Sequence, residues 1–216
     1  MKLLLREGRT YLAILALLAA VLFFVYPPLL FIPLLLFGLL IYFFRDPKRR
    51  QPAANDAEID FLAPADGRVM VVDVVHDPYL FRGPAQMVTI FLGPLDVHIN
   101  RSPIGGRVTA VEHRRGQFRP AYLAEAPAVN ERNYVAVKND ETQCLLVQIV
   151  GILARRVVCW VKVGDELERG EKFGLMKFGS SLQVFMPPAT EVRVKRGARV
   201  VGGETVIGVI KRGAVG

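Results

Sequence analysis

Only two cysteines occur in 216 residues, Cys144 and Cys159, and they are not in C-x-x-C spacing. Their scarcity argues against a disulfide-stapled secreted scaffold and a cysteine-based metal site. Both lie in apolar strand-like runs and read as reduced core residues of a cytoplasmic domain. Histidine is nearly as rare, at three residues: His76, His98 and His113. No G-x-G-x-x-G, P-loop or zinc-ligand spacing is present, so no bound dinucleotide, nucleotide or metal is signalled. Helical periodicity is almost missing after residue 50. Charge is missing altogether from Tyr11 to Phe44, a run of 34 residues.

As one helix that run would be about 51 Å long, against a hydrocarbon core of roughly 30 Å. Pro27-Pro28 splits it into two halves of 16 residues, each about 24 Å as helix. Residues 1–50 therefore read as a membrane hairpin or re-entrant anchor. Lys2, Arg6 and Arg9 precede the run and Arg45, Lys48, Arg49 and Arg50 follow it. Basic residues on both flanks put both ends on the cytoplasmic side of the cell (inner) membrane. A cleaved signal peptide is the competing reading, but its apolar core spans only about 7–15 residues. The net charge of +8 divides unevenly, since residues 1–50 hold seven basic and two acidic side chains. That leaves 21 of the 28 basic and 18 of the 20 acidic residues for 51–216, a net of +3. Most of the excess meets anionic headgroups, and nucleic-acid binding is disfavoured.

After a polar linker at about 45–60, short β-branched runs recur between Gly, Pro, Asn and Asp. They cover 68–75, 86–92, 107–112, 134–138, 144–150, 157–163, 182–185, 191–194 and 205–210. Residues 51–216 thus read as an all-β dominated domain, a barrel or sandwich of short strands. Two internal echoes support related halves. Pro64-x-x-Gly67-Arg68-Val69 recurs as Pro103-x-x-Gly106-Arg107-Val108. Lys162-x-Gly164 with Gly170-Glu171 recurs as Lys195-x-Gly197 with Gly203-Glu204. The second echo also resembles the hairpins of biotinyl and lipoyl carrier domains.

Three short segments carry chemistry. In Ala63-Pro64-Ala65-Asp66-Gly67-Arg68-Val69 the aspartate sits in a turn, where Asp-Gly is ordinary. The echo holds Gly105 at the matching position, so the turn does not itself require a carboxylate. In Leu95-Asp96-Val97-His98-Ile99-Asn100, strand alternation puts Val97 and Ile99 on one face and Asp96, His98 and Asn100 on the other. Lys177-Phe178-Gly179-Ser180-Ser181 contains a Gly-Ser bond whose glycine tolerates strained backbone and leaves its carbonyl open to the next hydroxyl. Asp, His and Ser together are the arrangement in which a base activates a hydroxyl. His76 and His113 fall outside these segments and read as surface residues.

Together the three segments resemble the phosphatidylserine decarboxylase family in its short form, over most of residues 45–216. The resemblance implies a proenzyme that cuts itself between Gly179 and Ser180 into a large chain, 1–179, and a small chain, 180–216, which stay associated. Asp66 would orient His98, and His98 would activate Ser180. Ser180 would end as a covalent pyruvoyl group that forms a Schiff base with the substrate amine, in place of a bound cofactor. His98 would then return a proton after carbon dioxide leaves. The substrate would be phosphatidylserine, or an archaetidylserine-like lipid, and the product the ethanolamine lipid.

Longer bacterial members carry a further histidine where this chain has Leu95, so that residue's role has no counterpart. Asn130-Glu131-Arg132-Asn133 also looks like a family segment, with a substrate-binding or structural role. The loop Gly116–Pro127 carries Phe118, Tyr122 and Leu123 beside Arg114, Arg115 and Arg119. That mixture suits a loop on lipid headgroups, or an ordinary exposed loop, and the arginines are candidate phosphate ligands. Nothing in the sequence speaks against an oligomer. Two alternatives stay open: a carrier or structural barrel using Met176-Lys177, and a membrane-anchored serine hydrolase, although no G-x-S-x-G elbow is present.

Overall fold

A computed structural model describes residues 2–123, 125–152, 157–177 and 179–212. Phe178 of the Gly-Ser segment, Ala124 of the 116–127 loop and residues 213–216 lie outside the described residues. The chain divides into two compact units, Met1–Lys48 and Arg49–Gly216.

The first unit contains α1 (Lys2–Glu7), α2 (Arg9–Val25), a 3-10 turn at Pro27–Leu30 and α3 (Phe31–Phe43). Proline lacks the N–H that would continue α2, and suits the first positions of the turn that follows. The chain reverses there. Leu12, Leu15, Ala16 and Ala19 of α2 line one apolar cavity with Pro33, Leu34 and Phe37 of α3. At the other end the rings of Tyr11 and Phe44 lie 6.4 Å apart. The double proline thus makes a helical hairpin, as its position in the uncharged run suggests. At 17 and 13 residues, α2 and α3 are about 26 and 20 Å long. No helix among the described residues is long and apolar enough to cross a membrane. The hairpin's exterior is nonetheless apolar: α2 buries no residue, and Phe24 is 84% exposed.

The second unit is built almost wholly of strands. They are β1 (Glu58–Leu62), β2 (Gly67–Asp77), β3 (Gly83–Leu92), β4 (Ile99–Arg101), β5 (Gly106–Arg114), β6 (Arg132–Lys138) and β7 (Gln143–Ile149), with a single-turn α4 (Ala126–Val129) before β6. They continue as β8 (Val157–Cys159), β9 (Glu166–Leu167), β10 (Lys172–Met176), β11 (Ser180–Met186), β12 (Glu191–Val192), β13 (Arg199–Val200) and β14 (Val206–Lys211). Every run read as a strand in the sequence contains one. The additions are short strands, chiefly β1 at the end of the expected linker and β4 and β10 beside the candidate site. β1 and β10 obtain their pairing from β14 and β4, which lie far away in the chain.

An eight-stranded antiparallel sheet runs β13-β2-β3-β11-β7-β6-β5-β9 and curls into a half-barrel. Two three-stranded sheets, β1-β14-β12 and β4-β10-β8, complete the unit. The order is the same read from either end once β2 is matched to β5, β3 to β6, β11 to β7 and β13 to β9. The sequence echoes are the trace of this pseudo-twofold arrangement. Leu62 N–H donates to Pro103 O at 3.0 Å, and Arg101 N–H donates to Pro64 O at 2.8 Å. Gly164 N–H reaches Val108 O as Gly197 N–H reaches Val69 O, both at 2.8 Å. Gly164 and Gly197 share a left-handed φ, at 95° and 90°.

The two small sheets cover the inner face of the large one. Phe61, Phe173, Met176 and Ile207 pack against Leu92, Val135, Leu146, Leu182 and Val184 in one core. A second cluster, Tyr134, Ala136, Leu145, Val147 and Ile149, lies on the outer face of β6 and β7. These strands are apolar on both faces, which is why 144–150 reads as a continuous run in place of an alternating one.

Candidate active site

Ser180 heads β11, at the centre of the large sheet, paired with Leu92 of β3. It shares the inner face with Leu92 and Leu182 and is fully buried. Among the described residues its Oγ has no hydrogen-bond partner, and neither has the Oγ of Ser181 on the opposite face. A buried hydroxyl left unpaired costs about 1–3 kcal/mol, and an orphan of this kind calls for a functional account. Gly179 has φ +65°, yet none of the described residues lies within 4 Å of where its Cβ would be. Backbone conformation, and not lack of space, calls for glycine there.

His98 is the one histidine that the fold buries. Its Nδ1 lies 2.9 Å from the Asp96 carbonyl oxygen. A carbonyl only accepts, so Nδ1 carries the proton and Nε2 of the neutral ring is an acceptor. That Nε2 receives the Gly179 N–H at 3.3 Å. A basic lone pair therefore faces the residue whose bond to Ser180 is in question. The expected alternation over 95–100 is kept at His98 and Asn100, whose side chains both turn toward the large sheet, His98 to Gly179 and Asn100 to Gln148. Asp96 leaves the pattern by closing a turn with Gly93, β4 begins at Ile99 as an edge strand on β10, and Val97, His98, Ile99 and Asn100 are all buried. The Asp96 side chain fixes the turn that presents its carbonyl, accepting the Gly93 N–H at 2.8 Å and pairing with Arg199 at 2.6 Å. Below the site a buried amide chain ties β6, β7 and β4 together. Asn133 Nδ2 donates to Gln148 Oε1 at 2.9 Å, and Gln148 Nε2 donates to Asn100 Oδ1 at 2.7 Å.

Asp66 lies in the turn between β1 and β2. Both its oxygens are 2.9 Å from Arg49 Nη2, and Oδ1 also accepts the Gly202 N–H at 2.8 Å. Its immediate partners are thus Arg49 and the Gly202 amide, while the Asp96 carbonyl holds the imidazole tautomer. Arg49 and Asp96 carry no special sign in the sequence. Arg49 reads there as one more basic flank, and Asp96 contributes its backbone carbonyl.

Gly179 opens onto a cavity of about 370 Å³ lined by Phe91, Pro94, Pro120, Ala121, Tyr122 and Ile152. The rings of Phe91 and Tyr122 meet edge-on at 6.3 Å. Exposed apolar residues lie in and beside the lining, with Leu95 67%, Tyr122 59% and Ile152 50% exposed. Asn130 fixes the loop that supplies Pro120–Tyr122. Its Oδ1 takes the Arg119 N–H at 3.0 Å, and its Nδ2 donates to Arg119 O and Val150 O, both at 2.8 Å. The Asn130–Asn133 segment thus has a structural task at both ends.

Of the three candidate phosphate ligands, Arg114 donates to Glu112 at 2.6 Å and to the Tyr79 hydroxyl, and its guanidinium lies over the Tyr79 ring. Arg119 pairs with Glu125 and Gln117. Arg115 is exposed. His76 and His113 are also exposed, the latter 3.4 Å from Glu131. Both cysteines are free thiols, and burial pushes the pKa of each up.

The family model of phosphatidylserine decarboxylase matches residues 36–208. A phosphatidylserine decarboxylase proenzyme of Carboxydothermus hydrogenoformans is 45% identical over 210 residues, 95% of this chain and 96% of that protein. One from Symbiobacterium thermophilum is 45% identical over 204 residues, 94% of each chain. The match takes in Asp66, His98, Gly179 and Ser180 together with the strands that carry them. On this likeness the chain belongs to the phosphatidylserine decarboxylase family, a family of carboxy-lyases.

Proposed function

We propose that the chain cuts itself between Gly179 and Ser180, and that the resulting enzyme removes carbon dioxide from the serine headgroup of phosphatidylserine to leave phosphatidylethanolamine. The observation that carries this reading is the buried, unpartnered Ser180 hydroxyl behind a left-handed Gly179 that faces His98 Nε2. In the first step Ser180 Oγ gives its proton to His98 Nε2 and bonds to the Gly179 carbonyl carbon. The C–N bond then breaks, the amine takes a proton, and an ester joins the two residues. Elimination across the Ser180 Cα–Cβ bond releases the Gly179 carboxylate and the chain 1–179. Addition of water and loss of ammonia leave a pyruvoyl group at the head of the chain 180–216. Ser180 fits that group, because a cut there leaves β11 hydrogen-bonded to β3 and β7 on both edges, and the two chains stay together.

When formed, the group supplies an electrophilic carbonyl that takes the substrate amine and accepts the electron pair freed as carbon dioxide leaves. His98 returns a proton to the carbon. The apolar cavity at Gly179 receives the glycerol end of the lipid, and the 116–127 loop lies on the headgroups. Arg114, Arg115 and Arg119 are the basic groups offered to the lipid phosphate. Arg115 alone of the three has no partner to leave among the described residues. The hairpin 1–50 inserts its apolar exterior into the inner membrane with both ends cytoplasmic, as a re-entrant wedge of two short helices. An ether lipid with the same headgroup offers the same reacting atoms.

Intact mass of the purified protein together with carbon dioxide release from carboxyl-labelled phosphatidylserine in vesicles tests the reading. The expected result is two chains, the smaller blocked at its N-terminus, and release that borohydride plus substrate abolishes. A single unmodified chain, or a biotin adduct on Lys177, overturns it in favour of a hydrolase or a carrier.

A further inference from the structure

Two glycines meet at the bond in question, for opposite reasons. Gly179 needs its φ of +65° and has open space around it, whereas Gly151 has no left-handed φ and no space at all. A Cβ built on Gly151 would stand 2.2 Å from the Gly179 carbonyl oxygen, 3.2 Å from its carbonyl carbon and 3.3 Å from the Ala121 Cβ. Carbon–oxygen contacts settle at about 3.3–3.6 Å, so any side chain at 151 displaces that carbonyl by about 1 Å. The contact follows from the sheet register, since both residues lie two positions beyond the Ser181–Ile149 pair of β11 and β7.

The neighbouring residue is held on both sides. Val150 donates its N–H to Glu131 O at 3.1 Å and accepts Asn130 Nδ2 at its own carbonyl at 2.8 Å. Asn130 also grips the backbone of Arg119, just before the Pro120 and Ala121 that line the same cavity. Gly151 is therefore a fixed surface with the Gly179 carbonyl resting on it.

We infer that Gly151 is the seat of the scissile carbonyl. It holds the Gly179 peptide in the orientation in which Ser180 Oγ reaches the carbonyl carbon, and so sets the rate of self-cleavage. The inference rests on the self-cleavage proposed above. The bond that forms is Ser180 Oγ to Gly179 carbon, the bond that breaks is Gly179 carbon to Ser180 nitrogen, and the hydroxyl proton passes through His98 Nε2 to that nitrogen. The oxygen carrying negative charge between these events is the one lying on Gly151. A misplacement of about 1 Å at a reacting centre costs about a hundredfold in rate.

The test is Gly151→Ala in the full chain, with processing followed by denaturing gel and intact mass, with and without hydroxylamine, which cuts an ester but not an amide. The expected result is a melting temperature within a few degrees of the parent, processing slowed about a hundredfold, and no acceleration by hydroxylamine, because the ester is not reached. Processing within about threefold of the parent overturns the inference, since a displaced carbonyl must cost more than that. Restoration of cleavage by hydroxylamine also overturns it, since the defect would then lie after the ester. If Gly151→Ala does not fold, Asn130→Asp decides. It keeps the acceptor for the Arg119 N–H, adds no atom, and removes the donors to Val150 O and Arg119 O. The variant melts lower, since it buries a carboxylate against two carbonyls, so processing is measured well below its own melting temperature. Slowing of about tenfold or more there supports the seat, and an unchanged rate overturns it. A parent chain that is never cut removes the self-cleavage itself and this inference with it. A parent that is cut, with unaffected variants, removes the inference alone.

Discussion

Asp66 is the ion-pair partner of Arg49 and, in the proposed reading, also supports the activation of Ser180; a pair of substitutions separates the two roles. Its side chain and that of Arg49 are 17% and 9% exposed, and both carboxylate oxygens lie 2.9 Å from Arg49 Nη2. Removing one member of a buried ion pair costs about 3–5 kcal/mol, and the residual exposure here puts Asp66→Asn at the lower end, about 3 kcal/mol. For a protein of this size that lowers the melting temperature by about 6–12 °C. The measurement belongs in a Ser180→Ala background, where every molecule is one uncut chain. Arg49→Gln should cost a similar amount. The double variant should lose less than the sum, with a coupling of about 1.5 kcal/mol or more. Processing is then measured with Ser180 intact. If Asp66 also helps activate the hydroxyl, the double variant is as slow as Asp66→Asn alone, although its ion-pair penalty has been relieved. Recovery of the parent processing rate in the double variant would refute the catalytic role and leave Asp66 as the counter-ion of Arg49.

His98→Ala should slow processing by about 10²–10⁴-fold, the ordinary worth of a general base; a normal rate with the fold intact would mean that another group takes the Ser180 proton. Single cysteines at positions 6 and 52, in a chain whose two native thiols are replaced, should both react with an impermeant reagent only from the cytoplasmic side. Labelling on opposite sides would mean a single crossing and would overturn the hairpin insertion.

Much of the fold was legible in the sequence because its signals are local. A strand shows itself through alternation or a continuous β-branched run, and a turn through a glycine at left-handed φ, so β2, β3, β5, β6, β7 and β11 could be read directly. The echoes exposed the pseudo-twofold arrangement for the same reason: Gly164 and Gly197 occupy matching turns. Short strands such as β9 and β13, two residues each, carry too little periodicity to be found. The alternation over 95–100 was legible at His98 and Asn100, and only Asp96 leaves it, because that residue closes the turn before β4. The Gly-Ser bond, His98 and Asp66 were legible as residue types in three segments, but nothing in those segments states which groups they meet.

By itself the sequence determined the double-proline hairpin, the all-β character of residues 51–216 and the residues offered for chemistry, since these depend on backbone conformations and side-chain periods spanning a few positions. Only the tertiary structure decided that Gly151 lies beneath the Gly179 carbonyl, that Arg49 takes the Asp66 carboxylate, and that the Asp96 carbonyl sets the His98 tautomer so that Nε2 faces Gly179. Most of these contacts join residues far apart in the chain and follow from strand register and sheet order. Register is set by burying one face of each strand across the whole sheet, and a shift of one residue would turn Ser180 away from the inner face.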